Sequence, residues 1–423
     1  MKIILLTIGD ELLTGTTVNT NAAWLGAELT AHGFTVVRAE TLRDDPHAIC
    51  QALQRARAEA DVVIVCGGLG PTHDDRTREA LADCLNRPLQ MHAALLEQIK
   101  AYFTRRGRHM PERNQVQALV PEGFTPIPNP LGTAPGLWLQ DASGIVVVLP
   151  GVPHELQGLM REAVLPRLQQ LPGRPAILQR TLVTAGIGES ELQQRLQGVE
   201  SLLDEAVQLA YLPSPYGVRL RLTARAASRE AAQQRLSELV AFIQKRIQPY
   251  LVSLSGETLE VVVGKLLRRL GATVAVAESC TGGHLADCIT NVSGASTYFR
   301  GGVVAYDNAV KVEVLGVAPE LLAREGAVSE AVAIQMARGV RKRLGAQVAL
   351  ATTGIAGPTG GTPDKPVGTV WIGLADDQVA FAQRYFLPDD RKRFKQRATA
   401  AALDLLRRHL LQQKVPRAAI FHR

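Results

Sequence analysis

A chain of 423 residues exceeds the size at which one hydrophobic core keeps growing, so two or three domains are expected. Hydrophobic residues at 46% and charged residues at 21% exclude a disordered chain, and no apolar run is long enough to span a bilayer, so a membrane is not an expected partner. The net charge of +7 is scattered over helical stretches (Arg105-Arg106-Gly107-Arg108, Arg341-Lys342-Arg343, Arg391-Lys392-Arg393, Arg407-Arg408), and aromatics at 4% leave little for base stacking, so anionic small molecules are better partners than nucleic acid.

The opening run Ile3 to Ile8 is too short for a signal peptide's apolar core plus a cleavage site. The five cysteines (Cys50, Cys66, Cys84, Cys280, Cys288) are odd in number, widely spaced and form no CxxC pair. Both features point to a reducing, cytoplasmic setting.

In chain order, Ile3 to Ile8 reads as a strand, followed by a helix carrying Ala22, Leu25 and Leu29, a strand at Thr35 to Val37, a helix at Ala48 to Ala58 and a strand at Asp61 to Cys66. This alternation predicts a parallel sheet covered by helices. A strand Gly144 to Leu149 and a helix His154 to Gln170 close the first domain, 1–172. Residues 173–254 change texture: a strand at Arg180 to Val183, a helix Glu189 to Leu196, a hairpin Val207 to Leu222 broken at Pro213 to Gly217, and a helix Ser228 to Ile247. That stretch is expected to be a spacer or dimerisation module. Over 255–415 the α/β rhythm returns, with helices Leu259 to Leu270, Gly283 to Thr290, Ser329 to Leu344 and Arg391 to Leu411 among strands Thr273 to Ala277, Gly302 to Tyr306, Val348 to Thr352 and Gly368 to Leu374. The expected class is α/β: two α/β/α sandwich domains joined by a small α+β module.

The sharpest local signal is Ala277-Glu278-Ser279-Cys280-Thr281-Gly282-Gly283, which sets a hydroxyl between a strand end and a helix start. Such a turn exposes a serine Oγ to unpaired amides and the positive end of a helix. The same residue types also serve as helix caps, so the turn alone leaves both readings open. No histidine has an obvious claim as base, because His284 lies one turn along and His409 sits in the terminal helix. Lys311, with Tyr306, is the remaining base, unless it is an ordinary surface lysine beside a half-buried tyrosine. The stretch Thr352 to Gly361 follows a strand, and its small residues let amides approach a phosphate or form a plain turn.

In the first domain Gly67-Gly68-Leu69-Gly70-Pro71-Thr72-His73-Asp74-Asp75 follows the strand ending at Cys66, the place for a phosphate loop. Asp74 and Asp75 suggest a hard divalent cation, or cap the helix that begins near Thr77. Asp10 and Glu11 offer further oxygen donors at the end of the first strand.

The stretch Ala277 to Gly283, the segment from Val292-Ser293-Gly294-Ala295-Ser296 to Tyr306 and Lys311, Gly326-Ala327-Val328-Ser329, Thr353 to Gly361 and Lys365 to Thr369 together resemble the C-terminal domain of the competence/damage-inducible CinA family. The resemblance implies hydrolysis of nicotinamide mononucleotide to nicotinate mononucleotide and ammonia, with no cofactor. It makes Ser279 the nucleophile and Lys311 and Tyr306 its proton-transfer partners. Thr281, Gly282, Gly283, Thr353, Gly354, Gly357 and Arg391 would meet substrate, and amides at the start of the helix after Ser279 would hold the oxyanion. Relatives commonly carry Arg-x-x-Ile-Arg before the last helix; here the second arginine is Lys395, which weakens a bidentate phosphate clamp.

The segments Gly9 to Gly15, Gly67 to Asp75, Asn114-Gln115, Asn129 to Ala134 and Leu149 to Pro153 resemble the molybdopterin-binding-like domain that begins CinA proteins. That resemblance implies metal-dependent ADP-ribose pyrophosphatase activity. It makes Asp74 and Asp75, and after them Asp10 and Glu11, ligands of a divalent metal of unspecified identity, and Gly67, Gly68, Gly70, Thr72 and Asn114 substrate contacts. Two alternatives stand beside it: a non-catalytic pterin- or nucleotide-binding module, and an adaptor in DNA uptake or recombination, which needs a localised basic face. A closed homodimer is the expected assembly.

Overall fold

The computed structural model describes residues 1–171 and 176–412. These divide into two compact units, one made of Met1–Leu178 and Ala226–Arg229, the other of Gln179–Arg225 and the residues from Glu230 on. The 172/173 boundary expected from the sequence lies outside the described residues.

The first unit holds a six-stranded sheet in the order Thr35–Leu42, Lys2–Ile8, Val62–Cys66, Gly144–Leu149, Gly136–Asp141, Thr125–Ile127. Lys2–Ile8 and Val62–Cys66 are near-continuous apolar runs with both faces buried, because helices cover the sheet on each side. Asn19 and Asp45 start two of these helices by accepting from the Ala22 and Ala48 amides at 3.0 and 2.8 Å. The expected parallel pairing holds for Thr35–Leu42, Lys2–Ile8, Val62–Cys66 and Gly144–Leu149, and the sheet turns antiparallel at its other edge. Gly136–Asp141 and Gly144–Leu149 are joined by only Ala142-Ser143, too short for a crossover, so they and Thr125–Ile127 pair antiparallel.

The cysteine reading is corrected as well. Helices Pro46–Glu59 and Thr77–Cys84 pack side by side and join Cys50 to Cys84 in a disulfide, with Cα atoms 5.3 Å apart. Thirty-four residues of separation hide this pair from any spacing rule. Cys66, Cys280 and Cys288 are free and buried.

The second unit begins with an antiparallel four-stranded sheet, Val207–Ser214, Gly217–Ala226, Ala176–Thr184 and Leu251–Ser253 in that order, with helices Glu189–Arg195 and Arg229–Ile247. A five-stranded sheet follows, ordered Phe299–Val304, Val274–Glu278, Val348–Gly354, Thr369–Ala375, Ala380–Phe386. Its first three strands are parallel and its last two antiparallel. Leu259–Leu270 and Arg391–Leu410 pack on one face and Glu330–Leu344 on the other. That last helix lies so close that a Cβ at Gly373 would come 2.3 Å from the Ala333 carbonyl. The strand expected at Gly302 to Tyr306 instead ends at Val304, leaving Tyr306 in the following loop with 61% exposure. Among the described residues no helix is long and apolar enough to cross a membrane.

Candidate functional site

Val274–Glu278 runs between two parallel neighbours, so the turn after it opens at the carboxyl edge of the second unit's α/β sheet, where ligands of such sheets bind. Two backbone bonds pin the turn: Ser279 N donates to the Thr352 carbonyl at 2.9 Å, and Ala305 N donates to the Glu278 carbonyl at 2.8 Å. Ser279 is half-buried there.

Glu278, the last residue of the strand before Ser279, holds the following turn in place. Its carboxylate is 1% exposed and accepts from the amides of Gly283, Leu285 and Ala286 at 3.0, 3.0 and 2.8 Å. A buried carboxylate needs donors and the first amides of a helix need acceptors, so each satisfies the other. The expectation that the start of helix His284–Thr290 holds an oxyanion is therefore corrected: those amides are occupied. The amides of Cys280 and Thr281 remain in the turn. The Thr281 hydroxyl is buried against that of Thr352 at 2.7 Å, which makes it a brace inside the sheet edge. Gly282 and Gly283 adopt left-handed backbone, and Lys395 Nζ lies 3.3 Å from where a Gly282 Cβ would stand.

Lys311 lies in the last turn of the short helix Asn308–Glu313 and is 1% exposed. Its Nζ donates to the carbonyls of Ala305 at 2.9 Å and Tyr306 at 3.1 Å. Burial pushes its pKa down, opposed by the charges of Asp307 and Cys280. A neutral amine has two N–H groups and one lone pair, so these two carbonyls leave the lone pair free to take a proton.

Arg391 links two other expected site residues. Its guanidinium donates to the Gly357 carbonyl at 2.9 Å and to the Tyr306 hydroxyl at 2.7 Å. Thr353 is buried and donates to the Ala327 carbonyl at 2.7 Å, tying the Gly326 to Ser329 loop to its strand. Gly354 ends that strand, where a Cβ would come 2.7 Å from the Thr369 carbonyl. Both residues build the floor of the loop.

In the first unit Gly67 is required at its position: its φ is +109°, and a Cβ would come 2.3 Å from the Ile8 carbonyl. Thr77 Oγ1 donates to the Gly67 carbonyl at 2.9 Å and sits where a Gly68 Cβ would point. Asp75 turns its carboxylate inward, accepting from Gly70 N at 2.8 Å, Thr72 N at 2.9 Å and the Thr72 hydroxyl. Through these bonds it braces the loop. Asn114 is buried and donates to Gln117 at 2.8 Å, and Gln117 in turn reaches the Leu69 carbonyl, so Asn114 supports the loop from behind. Arg78, unremarked in the sequence, is buried beneath the loop and donates to the Leu69 and Gly70 carbonyls at 2.6 and 2.9 Å.

Asp10 accepts from Arg43 at 3.3 Å, and its amide donates to Asp44 at 3.0 Å. Burial pushes the Asp44 carboxyl up, and the charges of Asp10, Glu11 and Asp74 push it further. Asp44 is thus an acidic neighbour that the motifs did not reveal. Among the described residues, these carboxylates do not gather three oxygens into mutual reach. A cavity of about 120 Å³ opens beside them, between Ile8, Glu11, Asn19, Asn21, Cys66 and Gly151.

Comparison with known proteins covers the chain almost end to end. A probable molybdopterin binding domain matches residues 4–170, the damage-inducible protein CinA KH domain 179–253 and the CinA C-terminal domain 256–410. A CinA-like protein of Salinibacter ruber is 49% identical over 97% of this chain and 100% of its own length. A putative competence-damage inducible protein of Moorella thermoacetica is 44% identical over 96% of this chain and 98% of its own. A solved structure of CinA from Thermoplasma acidophilum is 40% identical over 38% of this chain and 94% of its own, with a TM-score of 0.35. Domain order and full-length identity agree, and the chain belongs to the CinA family.

Proposed function

We propose that the chain is a bifunctional hydrolase of pyridine-nucleotide breakdown products. In the C-terminal domain Ser279 attacks the carboxamide carbon of nicotinamide mononucleotide while Lys311 takes its proton, directly or through Tyr306. The tetrahedral oxyanion is held by the remaining amides of the turn, those of Cys280 and Thr281. Collapse expels ammonia with the proton returned by Lys311, and water then cleaves the acyl-serine ester to release nicotinate mononucleotide.

The observation that carries this reading is a buried lysine, pKa depressed, on helix Asn308–Glu313, whose Nζ donates to the carbonyl of Ala305, the residue whose amide donates to the Glu278 carbonyl next to Ser279. Arg391 and Lys395 supply positive charge for the substrate phosphate. Arg391 opens helix Arg391–Leu410, where a cation opposes the helix dipole, so anion binding explains its charge better than helix stability does. The test is ammonia release from nicotinamide mononucleotide without added metal. The intact chain turns over and Ser279→Ala does not; no turnover by the intact chain sinks the assignment.

For the N-terminal domain the proposal is cleavage of ADP-ribose at its pyrophosphate. The oxygen donors Asp10, Glu11, Asp44 and Asp74 suit a hard divalent cation, which would offset the mutual repulsion of these carboxylates. When bound, such a cation neutralises the pyrophosphate's charge. The inward-turned Asp75 favours a second reading, a pterin- or nucleotide-binding module without turnover. ADP-ribose hydrolysis that depends on an added divalent cation supports the first; binding without hydrolysis supports the second.

A further inference from the structure

A second cluster of chemically capable side chains lies on the helix that follows the Ser279 turn. His284, Asp287 and Cys288 stand at i, i+3 and i+4 on helix His284–Thr290, spacings that put them on one face. Their ligand atoms all lie within 4.8 Å of one another, the one such group among the described residues. His284 Nδ1 is 3.9 Å from Asp287 Oδ2, and His284 Nε2 is 3.9 Å from Cys288 Sγ. Tyr216, from the turn of the hairpin Val207–Ser214 and Gly217–Ala226, brings its hydroxyl 2.9 Å from the same Nε2. These four side chains and Glu260 line a cavity of about 380 Å³ within the second unit.

We infer that His284, Cys288 and Asp287 bind a divalent cation of the zinc class, with the Tyr216 hydroxyl beside it. Zinc bonds of about 2.1 Å to nitrogen and 2.3 Å to sulfur at a tetrahedral angle separate the two ligand atoms by about 3.6 Å, so His284 Nε2 and Cys288 Sγ, 3.9 Å apart, stand near bridging distance, while the exposed Asp287 carboxylate, which faces Nδ1, has to turn toward the ion. The donor set fits as well, since imidazole with thiolate selects zinc over magnesium or calcium. The consequence is mechanical: the ion clasps the hairpin tip to the helix whose first amides hold Glu278, one residue from Ser279.

The test uses the full-length chain and cobalt(II) as the probe, because a thiolate ligand produces a charge-transfer absorption that an oxygen-only site does not. Any cation bound by carboxylates of the first unit is therefore not mistaken for this one, and the readout is independent of ammonia release. The expected results are the thiolate band, one zinc per purified chain, loss of the band in Cys288→Ser, and a fall in zinc affinity of about 10- to 100-fold in Asp287→Asn. His284→Gln, checked for native circular dichroism, loses the zinc too and covers the case in which Cys288→Ser does not fold. Absence of the band in the intact chain, or a band that survives Cys288→Ser, overturns the proposal.

Discussion

Lys311 is buried against two carbonyls, and among the described residues it forms no ion pair, so its charge state is set by desolvation. If it is the base, ammonia release rises with pH through a pKa below the ordinary lysine range, and Lys311→Arg, which stays protonated, abolishes that limb of the pH–rate profile. Stability carries the same signature. The folded pKa lies below the unfolded one, so in the window between them the unfolded state binds more protons and stability rises with pH. Lys311→Met therefore gains most over the intact chain at the low end of that window, read by urea denaturation at two pH values. Glu278 gives the complementary case, a carboxylate with three amide donors. Glu278→Gln keeps the shape but loses the charge and points an amide N–H₂ at donors, a change expected to cost about 1–3 kcal/mol in the same measurement.

At the level of elements, close approach decides more than propensity. Gly339 lies within helix Glu330–Leu344, where alanine is intrinsically favoured by about 1 kcal/mol. A Cβ there, however, would stand 1.9 Å from the Leu315 carbonyl, and relieving such an overlap costs about 1–3 kcal/mol. Gly339→Ala is expected to lower the denaturation midpoint, against the helix-propensity sign. The same contrast explains how far the fold was legible. Periodicity placed helix Leu259–Leu270 and the strands around Val274–Glu278 to within a residue or so, because burial of a strand or a helix face is written locally. It missed the antiparallel edge strands and the end of Phe299–Val304, because pairing direction depends on what lies next in space. Of the candidate site, the Ser279 turn and the Gly67 loop were legible as strand-end glycine turns; Asp75 as a brace and Asp44 as a neighbour were not.

Across the second unit as a whole, one carboxylate ties the middle module to the C-terminal domain. Asp404 pairs with Arg407 at 2.8 Å and Arg408 at 2.6 Å, both arginines being buried, and Arg407 also donates to the Leu251 carbonyl of the antiparallel sheet. Removing one partner of a buried pair leaves uncompensated charge, so Asp404→Asn is expected to cost about 3–5 kcal/mol. Because the network joins helix Arg391–Leu410 to the antiparallel sheet, amide hydrogen exchange should accelerate in both; acceleration confined to the helix would contradict the coupling.

What the sequence by itself determined about this protein is its family, its two α/β rhythms and the turns that carry Ser279 and Gly67, because apolar periodicity and glycine placement are local properties of the chain. Only the tertiary structure decided which groups those turns would meet. The Arg391 guanidinium reaches Tyr306 across 85 residues of sequence, Cys50 finds Cys84, Glu278 takes the helix amides, and Tyr216 comes to rest on His284. Each of these depends on strand order and helix packing, which bring distant side chains within bonding distance, and no spacing rule along the chain encodes that order.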